Sequence, residues 1–328
     1  MTAVANDPVL EIADLRVAFG PTRRQTEVVH GVSLSVKRGE IVGIVGESGS
    51  GKTVTAMAAA SLLPPGSQTD TTTWRFEGAD LRSSSRRARA DALGGRLAVV
   101  FQDPMASLNP ARRVGAQMSD VVRVHAGRSK RDAAADAVDR LRRVRIAGPD
   151  RRVDEYPHQF SGGMRQRAMI AMGLMTPPAL LVADEPTTAL DVTVQADVMA
   201  LIVEMNRTEG TSVVLVSHNI ALIAEICHRV LVMYGGRIVE ELDAASLATQ
   251  ARHPYTLALI GSVPRLDSPR DHPLVTIPGA PPDAGMIPSG CAFAPRCPLA
   301  DDDCRSAVPL LRPHATGAVA CRKAGLDP

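Results

Sequence analysis

Apolar and polar residues alternate through "LEIADLRVAF" (residues 10–19) and "VVHGVSLSV" (28–36), as in half-buried strands. "EIVGIV" (40–45) is instead a short apolar run followed by glycine, which predicts a buried strand. "KTVTAMAAASLL" (52–63) reads as a helix that Pro64 and Pro65 are expected to stop. Further buried strands are expected at "RLAVVFQ" (96–102), "ALLVADEP" (179–186) and "TSVVLVSHN" (211–219). Residues 114–175 read as mainly helical, with turns near Pro149 and Pro157, and "VTVQADVMALIVEMN" (192–206) as another helix. "RVLVMYGGRIVEE" (229–241) predicts a β-hairpin turning on Gly235 and Gly236. Strand and helix alternate, so the expected core is α/β with a largely parallel sheet.

The chain has 328 residues, 45% of them hydrophobic, enough for one large or two ordinary domains with a sizeable core. Net charge is +2, from 37 basic and 35 acidic residues, so bulk electrostatics give no argument for a nucleic-acid partner. Aromatics are only 3%, which disfavours a base-stacking platform. Arg82, Arg86, Arg87 and Arg89 read as a solvated face. No apolar stretch approaches the roughly 18–20 residues that span a bilayer. The segment "MTAVANDPVLEIADL" has neither a basic n-region nor an apolar h-region, so no signal peptide is expected. The expected place is the cytosol, with any membrane association made through a partner.

Composition shifts near residue 250. Thirteen of the 24 prolines and four of the five cysteines lie beyond it. Such a tail is not expected to extend the sheet, and residues 251–328 are marked as a separate extension.

"GESGSGKT" meets the pattern G-x-x-x-x-G-K-[ST] at Gly46, Gly51, Lys52 and Thr53, between a predicted strand and helix. Glycines let the backbone fold tightly so that its N–H groups face an anion, and the helix start adds its positive dipole end. Gly46, Glu47, Ser48, Gly49, Ser50 and Gly51 would cradle ATP phosphates. Lys52 would reach the β- and γ-phosphates, and the Thr53 hydroxyl would ligate Mg²⁺. In "LLVADEP", Asp184 would hold the Mg²⁺ water shell and Glu185 would act as general base on the attacking water.

"FSGGMRQR" (160–167) opens a predicted helix with Ser161, Gly162 and Gly163. It resembles the signature motif of the ATP-binding cassette (ABC) family, with Phe160 and Met164 at the two variable positions. The resemblance covers residues 9 to about 245. It implies a P-loop ABC-type nucleotide-binding domain: a RecA-like core with an antiparallel β subdomain and a helical subdomain near 103–175. It further implies that Ser161, Gly162 and Gly163 touch nucleotide across a dimer, and that Gln102 approaches Mg²⁺ and couples to the membrane subunit. Asp191 in "TTALD" matches the D-loop, His218 in "VSHN" matches the histidine that contacts the γ-phosphate, and Phe19 matches the aromatic that stacks on adenine. Catalytic roles thus fall to Glu185, His218 and Gln102. The chain carries one half of each split site, so a second ATP-binding subunit is implied.

Cys291, Cys297, Cys304 and Cys321 are spaced C-x5-C-x6-C-x16-C, while Cys227 in "ALIAEICHRV" reads as inert core on a helix. Disulfides are disfavoured in a cytosolic chain. Spacing alone leaves an iron–sulfur cluster, zinc or no metal open. The stretches "HPYTLALIGSVPRL", "IPGAPPD" and "GCAFAPRCPLADDDC" resemble the C-terminal extension of D-type ATP-binding subunits of oligopeptide/dipeptide importers. That resemblance implies a [4Fe–4S] cluster on the four cysteines, two transmembrane permeases, an extracellular solute-binding protein, no nucleic acid, and a peripheral position on the cytoplasmic face of a bacterial membrane. A nickel-importer ATPase of the same family is the nearest alternative. A non-transport ABC ATPase acting on nucleic acid or the ribosome would be expected to show a second cassette, coiled-coil arms or basic inserts.

Overall fold

A computed structural model of the chain describes residues 7–21, 24–103, 107–188, 191–263 and 276–325. Parts of some expectations lie outside these residues: positions 1–6 of the N-terminal segment, Ala189 and Leu190 of "TTALD", positions 104–106 of the helical subdomain, and 264–275 and 326–328 of the extension. The strands in chain order are β1 (Pro8–Phe19), β2 (Thr26–Lys37), β3 (Ile41–Val45), β4 (Gln68–Asp70), β5 (Thr73–Phe76), β6 (Ala79–Asp80), β7 (Leu97–Val100), β8 (Leu180–Asp184), β9 (Ser212–Ser217), β10 (Arg229–Tyr234), β11 (Arg237–Asp243), β12 (Arg312–His314) and β13 (Gly317–Val319). Among the described residues no helix is long and apolar enough to cross a membrane.

The chain divides into two compact units. The first holds residues 76–214 with the short pieces 1–10 and 36–40. In it β7 and β8 run parallel, with Leu97 opposite Leu180 and Val100 opposite Ala183. Every residue of β8 is buried, as its unbroken apolar run requires. The helices Val114–Ala126, Lys130–Arg143 and Gly162–Gly173 pack on one another. Their ends follow local chemistry. Gly127 takes the left-handed conformation that stops the first, and the Ser129 hydroxyl accepts the Asp132 N–H to start the second. The expected helical stretch is therefore present. The arginines Arg82, Arg86 and Arg87 are exposed, as a solvated face should be, whereas Arg89 is half-buried and donates to the Leu81 carbonyl.

The second unit holds residues 11–35, 41–75 and 215–328. β3 lies parallel to β10, with Arg229 opposite Val42 and Val232 opposite Val45. β10 and β11 form the expected hairpin, and Gly235 and Gly236 supply the two positive φ values (52° and 72°) of its turn. β4 pairs antiparallel with β1, through Arg16–Asp70 and Ala18–Gln68.

Three expectations change. The helix after the glycine-rich loop spans Lys52–Ala59, four residues short of the predicted end. Ser61 has φ 59°, and its N–H donates to the Ala58 carbonyl while that of Leu62 donates to Met57. This is a Schellman stop formed before the prolines are reached. Cys227 caps the helix Ile220–Ile226 instead of lying within it, although burial pushes its thiol up to about 12, consistent with an inert group. The proline-rich tail does extend the sheet. β13 pairs with β11 through Glu240–Val319 and Leu242–Gly317, and β12 pairs with β13. Pro313 is tolerated because β12 is the end strand of that order, where a missing N–H costs no ladder bond.

The tail's docking depends on Gly317, where an added Cβ would stand 1.8 Å from the Glu241 carbonyl oxygen. Gly317→Ala is expected to cost about 1–3 kcal/mol through forced backbone shifts, lowering Tm by about 2–6 °C in a thermal melt. An unchanged Tm would show that β13 does not pair as described.

Candidate functional site

In the second unit, buried β3 delivers the chain to Gly46, where a Cβ would stand 2.2 Å from the Met233 carbonyl oxygen. Only glycine allows that approach. Gly51 caps the helix Lys52–Ala59 with φ 97° and offers no side chain to its first N–H groups, which leaves the helix start suited to an external anion. The Lys52 side chain folds back: its ammonium donates to the carbonyls of Gly46 and Glu47, both at 2.8 Å, and lies 3.5 Å from Ser50 Oγ. Lys52 is 6% exposed. Ser48, Gly49 and Thr53 are exposed around it. Phe19 ends β1 half-buried. His218 is exposed directly after β9, between Ser217, whose hydroxyl accepts the Asn219 N–H, and Asn219, whose side chain caps the helix Ile220–Ile226.

In the first unit, the parallel register of β7 and β8 continues past the strand ends and brings Gln102 to Glu185. Gln102 Nε2 donates to Glu185 Oε2 at 3.3 Å. The Thr188 hydroxyl donates to the same oxygen at 2.7 Å. Glu185 has φ 46°, a strained backbone for a non-glycine residue, at the end of a fully buried strand. Asp184 beside it is 4% exposed. Ser161 caps the helix Gly162–Gly173 by accepting the Met164 N–H, and Asp191 caps the helix Val192–Glu209 by accepting the Val194 N–H. A Cβ at Gly163 would stand 2.6 Å from Val194 Cγ1, so these two helix starts come close together. Phe160 anchors the signature stretch at 2% exposure, while Ser161 and Gly162 face solvent.

The four tail cysteines line one small cavity, together with His253 and Phe293. None of the five cysteines forms a disulfide. Burial pushes the thiols of Cys291, Cys297 and Cys321 up, Cys321 to about 11, and their nearness to other cysteines adds to the rise. Among the described residues, no group of three or more His, Cys, Asp or Glu is arranged to hold a metal ion.

A protein-family model described as ABC transporter matches residues 29–188, and one described as oligopeptide/dipeptide transporter, C-terminal region, matches residues 239–304. The probable peptide ABC transporter ATP-binding protein y4tR of Sinorhizobium fredii is 46% identical over 319 residues, covering 96% of this chain and 95% of that protein. The chain belongs to the ABC transporter ATP-binding proteins of the oligopeptide/dipeptide family. The dipeptide transport ATP-binding protein DppD of Escherichia coli is 43% identical to this ABC ATPase, covering 94% of each chain. In fold the ABC ATPase resembles the dimeric, ADP- and Pi-bound cassette MJ0796, with a TM-score of 0.63 and 22% identity over 72% of this chain and 98% of that one.

Two elements of the ABC ATPase's site escape sequence reading. Thr188 sits among ordinary "PTTAL" residues, and only coordinates show its hydroxyl on Glu185. Arg296, far along the tail, reaches Glu47 of the phosphate loop with no spacing signal to announce it. Thr188→Val removes one donor from the Glu185 carboxylate at nearly constant volume. A hydrogen bond to a charged group is worth about 1.5–3 kcal/mol, so kcat for ATP hydrolysis should fall roughly 10- to 100-fold with KM little changed. An unaltered kcat would remove Thr188 from any part in holding Glu185.

Proposed function

We propose that this ABC ATPase powers an importer of oligopeptides or dipeptides, with ATP bound between two cassettes and its hydrolysis coupled to permease motion. Residues 46–53 hold the phosphates, Lys52 contacts the β- and γ-phosphates, Thr53 and Gln102 approach Mg²⁺, and Asp184 orders its water shell. Glu185 is the general base, His218 contacts the γ-phosphate, and Phe19 stacks on adenine. Ser161, Gly162, Gly163 and Asp191 face the nucleotide held by the partner cassette, another ATP-binding subunit or a second copy. Two transmembrane permeases dock on the pair at the cytoplasmic face of the membrane, and a solute-binding protein outside delivers the peptide.

The observation that carries the ATPase reading is the strained Glu185 at the end of β8 with Gln102 and Thr188 on its carboxylate. A carboxylate fixed this way can receive a proton from water without reorganising. The peptide assignment is supported by the match of residues 239–304 to the transporter-specific C-terminal region.

We further propose that the four cysteines of the tail hold an iron–sulfur cluster. The reading is supported by the four thiols lining one cavity and by the thiolate ligation that such clusters use. Such a cluster would supply a cross-link between the segments that carry Cys291, Cys297, Cys304 and Cys321.

Glu185→Gln tests the hydrolytic role. The variant should bind ATP, lose turnover by at least about 100-fold, and elute as an ATP-dependent dimer in gel filtration. Turnover at the wild-type rate would sink the assignment of Glu185 as the base.

A further inference from the structure

Glu47, the second residue of the phosphate loop, is held from the far end of the chain. Its two carboxylate oxygens accept from Arg296, Nη1 to Oε2 at 2.6 Å and Nη2 to Oε1 at 3.0 Å. Its N–H donates to the Tyr255 hydroxyl at 2.8 Å, and its carbonyl accepts from Lys52. Side chain and backbone of one loop residue are thereby both fixed, within a single compact unit.

Arg296 is itself fully determined. Nε donates to the Pro278 carbonyl at 2.7 Å, Nη1 also to the Tyr234 hydroxyl at 3.1 Å, and Nη2 also to the Ile277 carbonyl at 3.2 Å. With the two bonds to Glu47, each of its five N–H groups has an acceptor. The guanidinium carbon lies 5.8 Å from the Tyr234 ring centre and 6.0 Å from that of Phe293, and the side chain is 5% exposed. Few surface ion pairs are built like this. A bidentate, nearly buried pair has a defined geometry and withstands salt far better than an exposed one.

We propose that Arg296 is a positioning residue for ATP binding: it clamps Glu47 so that the phosphate loop is set, and its carboxylate charge offset, before the triphosphate arrives. Two physical effects act together. A loop carrying Gly46, Gly49 and Gly51 loses much backbone freedom when it closes on phosphate, and the clamp takes part of that loss in advance. A carboxylate within the loop also repels the triphosphate, and the guanidinium cancels that repulsion locally. Arg296 directly precedes Cys297 and closes the single helical turn Ala294–Arg296. Order in the cysteine segment is thus passed to the nucleotide loop.

The inference rests on the reading of residues 46–53 as the ATP site, and the test separates the two. ATP is titrated into the full-length chain as wild type, Arg296→Met, Glu47→Gln/Arg296→Met and Arg296→Lys, with a thermal melt of each. Absence of ATP binding by the wild type overturns the ATP-site reading itself. Given wild-type binding, Arg296→Met should raise the Kd about 10-fold or more, with a larger effect at low salt. The double variant, which removes the unpaired carboxylate but still lacks the clamp, should recover part of the lost affinity, a non-additivity expected of directly coupled residues. A structural pair alone would lower Tm and leave Kd unchanged, and that result overturns the proposal, as does a double variant no better than Arg296→Met. Should Arg296→Met fail to fold, Arg296→Lys keeps the charge and loses the two-pronged contact; it should raise Kd several-fold, and a wild-type Kd there overturns the proposal.

Discussion

A buried ammonium governs the design of the proposed nucleotide site. Lys52 sits at the first position of its helix, 6% exposed, and its charge is met by two carbonyls of the loop that precedes it. Burying a cation is costly unless it is well coordinated. Carbonyls at 2.8 Å meet that requirement, and phosphate oxygens are able to take their place. The loop must therefore curl tightly enough to present its own carbonyls, which demands glycine at 46 and a left-handed Gly51. It also needs a rigid base, which β3 provides by being buried along its whole length beside β10.

The proposed hydrolytic half of the site is organised by register. Because β7 and β8 are parallel and in step up to Val100 and Ala183, the residues just beyond them, Gln102 and Glu185, come within hydrogen-bond reach. The positive φ of Glu185 turns its carboxylate toward Gln102 and Thr188. Ser161 and Asp191 are each spent locally as helix caps, accepting the Met164 and Val194 N–H groups.

Much of this was legible in the sequence, because the signals are short-range. A strand–glycine loop–helix pattern, a two-glycine hairpin and a serine before a helix all state their geometry within a few residues. What the sequence does not disclose is of two kinds. Some were stop signals of mixed chemistry: Ser61 ends a helix by adopting a conformation more usual for glycine, so the eye waits for Pro64. Others were long-range. Proline-rich composition argued against the tail joining the sheet, yet three residues around Gly317 pair with β11 and the proline falls on an end strand. Nothing near Arg296 or Glu47 announces that they are partners across 249 residues. The four cysteines were visible by count, and their sharing of one cavity was visible only in three dimensions.

The most direct measurement is the calorimetric affinity of the full-length chain for Mg-ATP before and after Lys52→Ala. Exchange of carbonyl for phosphate partners by this ammonium predicts a loss of at least about 100-fold, the worth of two charge-assisted hydrogen bonds. Equal affinity in the two proteins would mean that the triphosphate binds elsewhere, and the loop after β3 would then have no claim to be the nucleotide site.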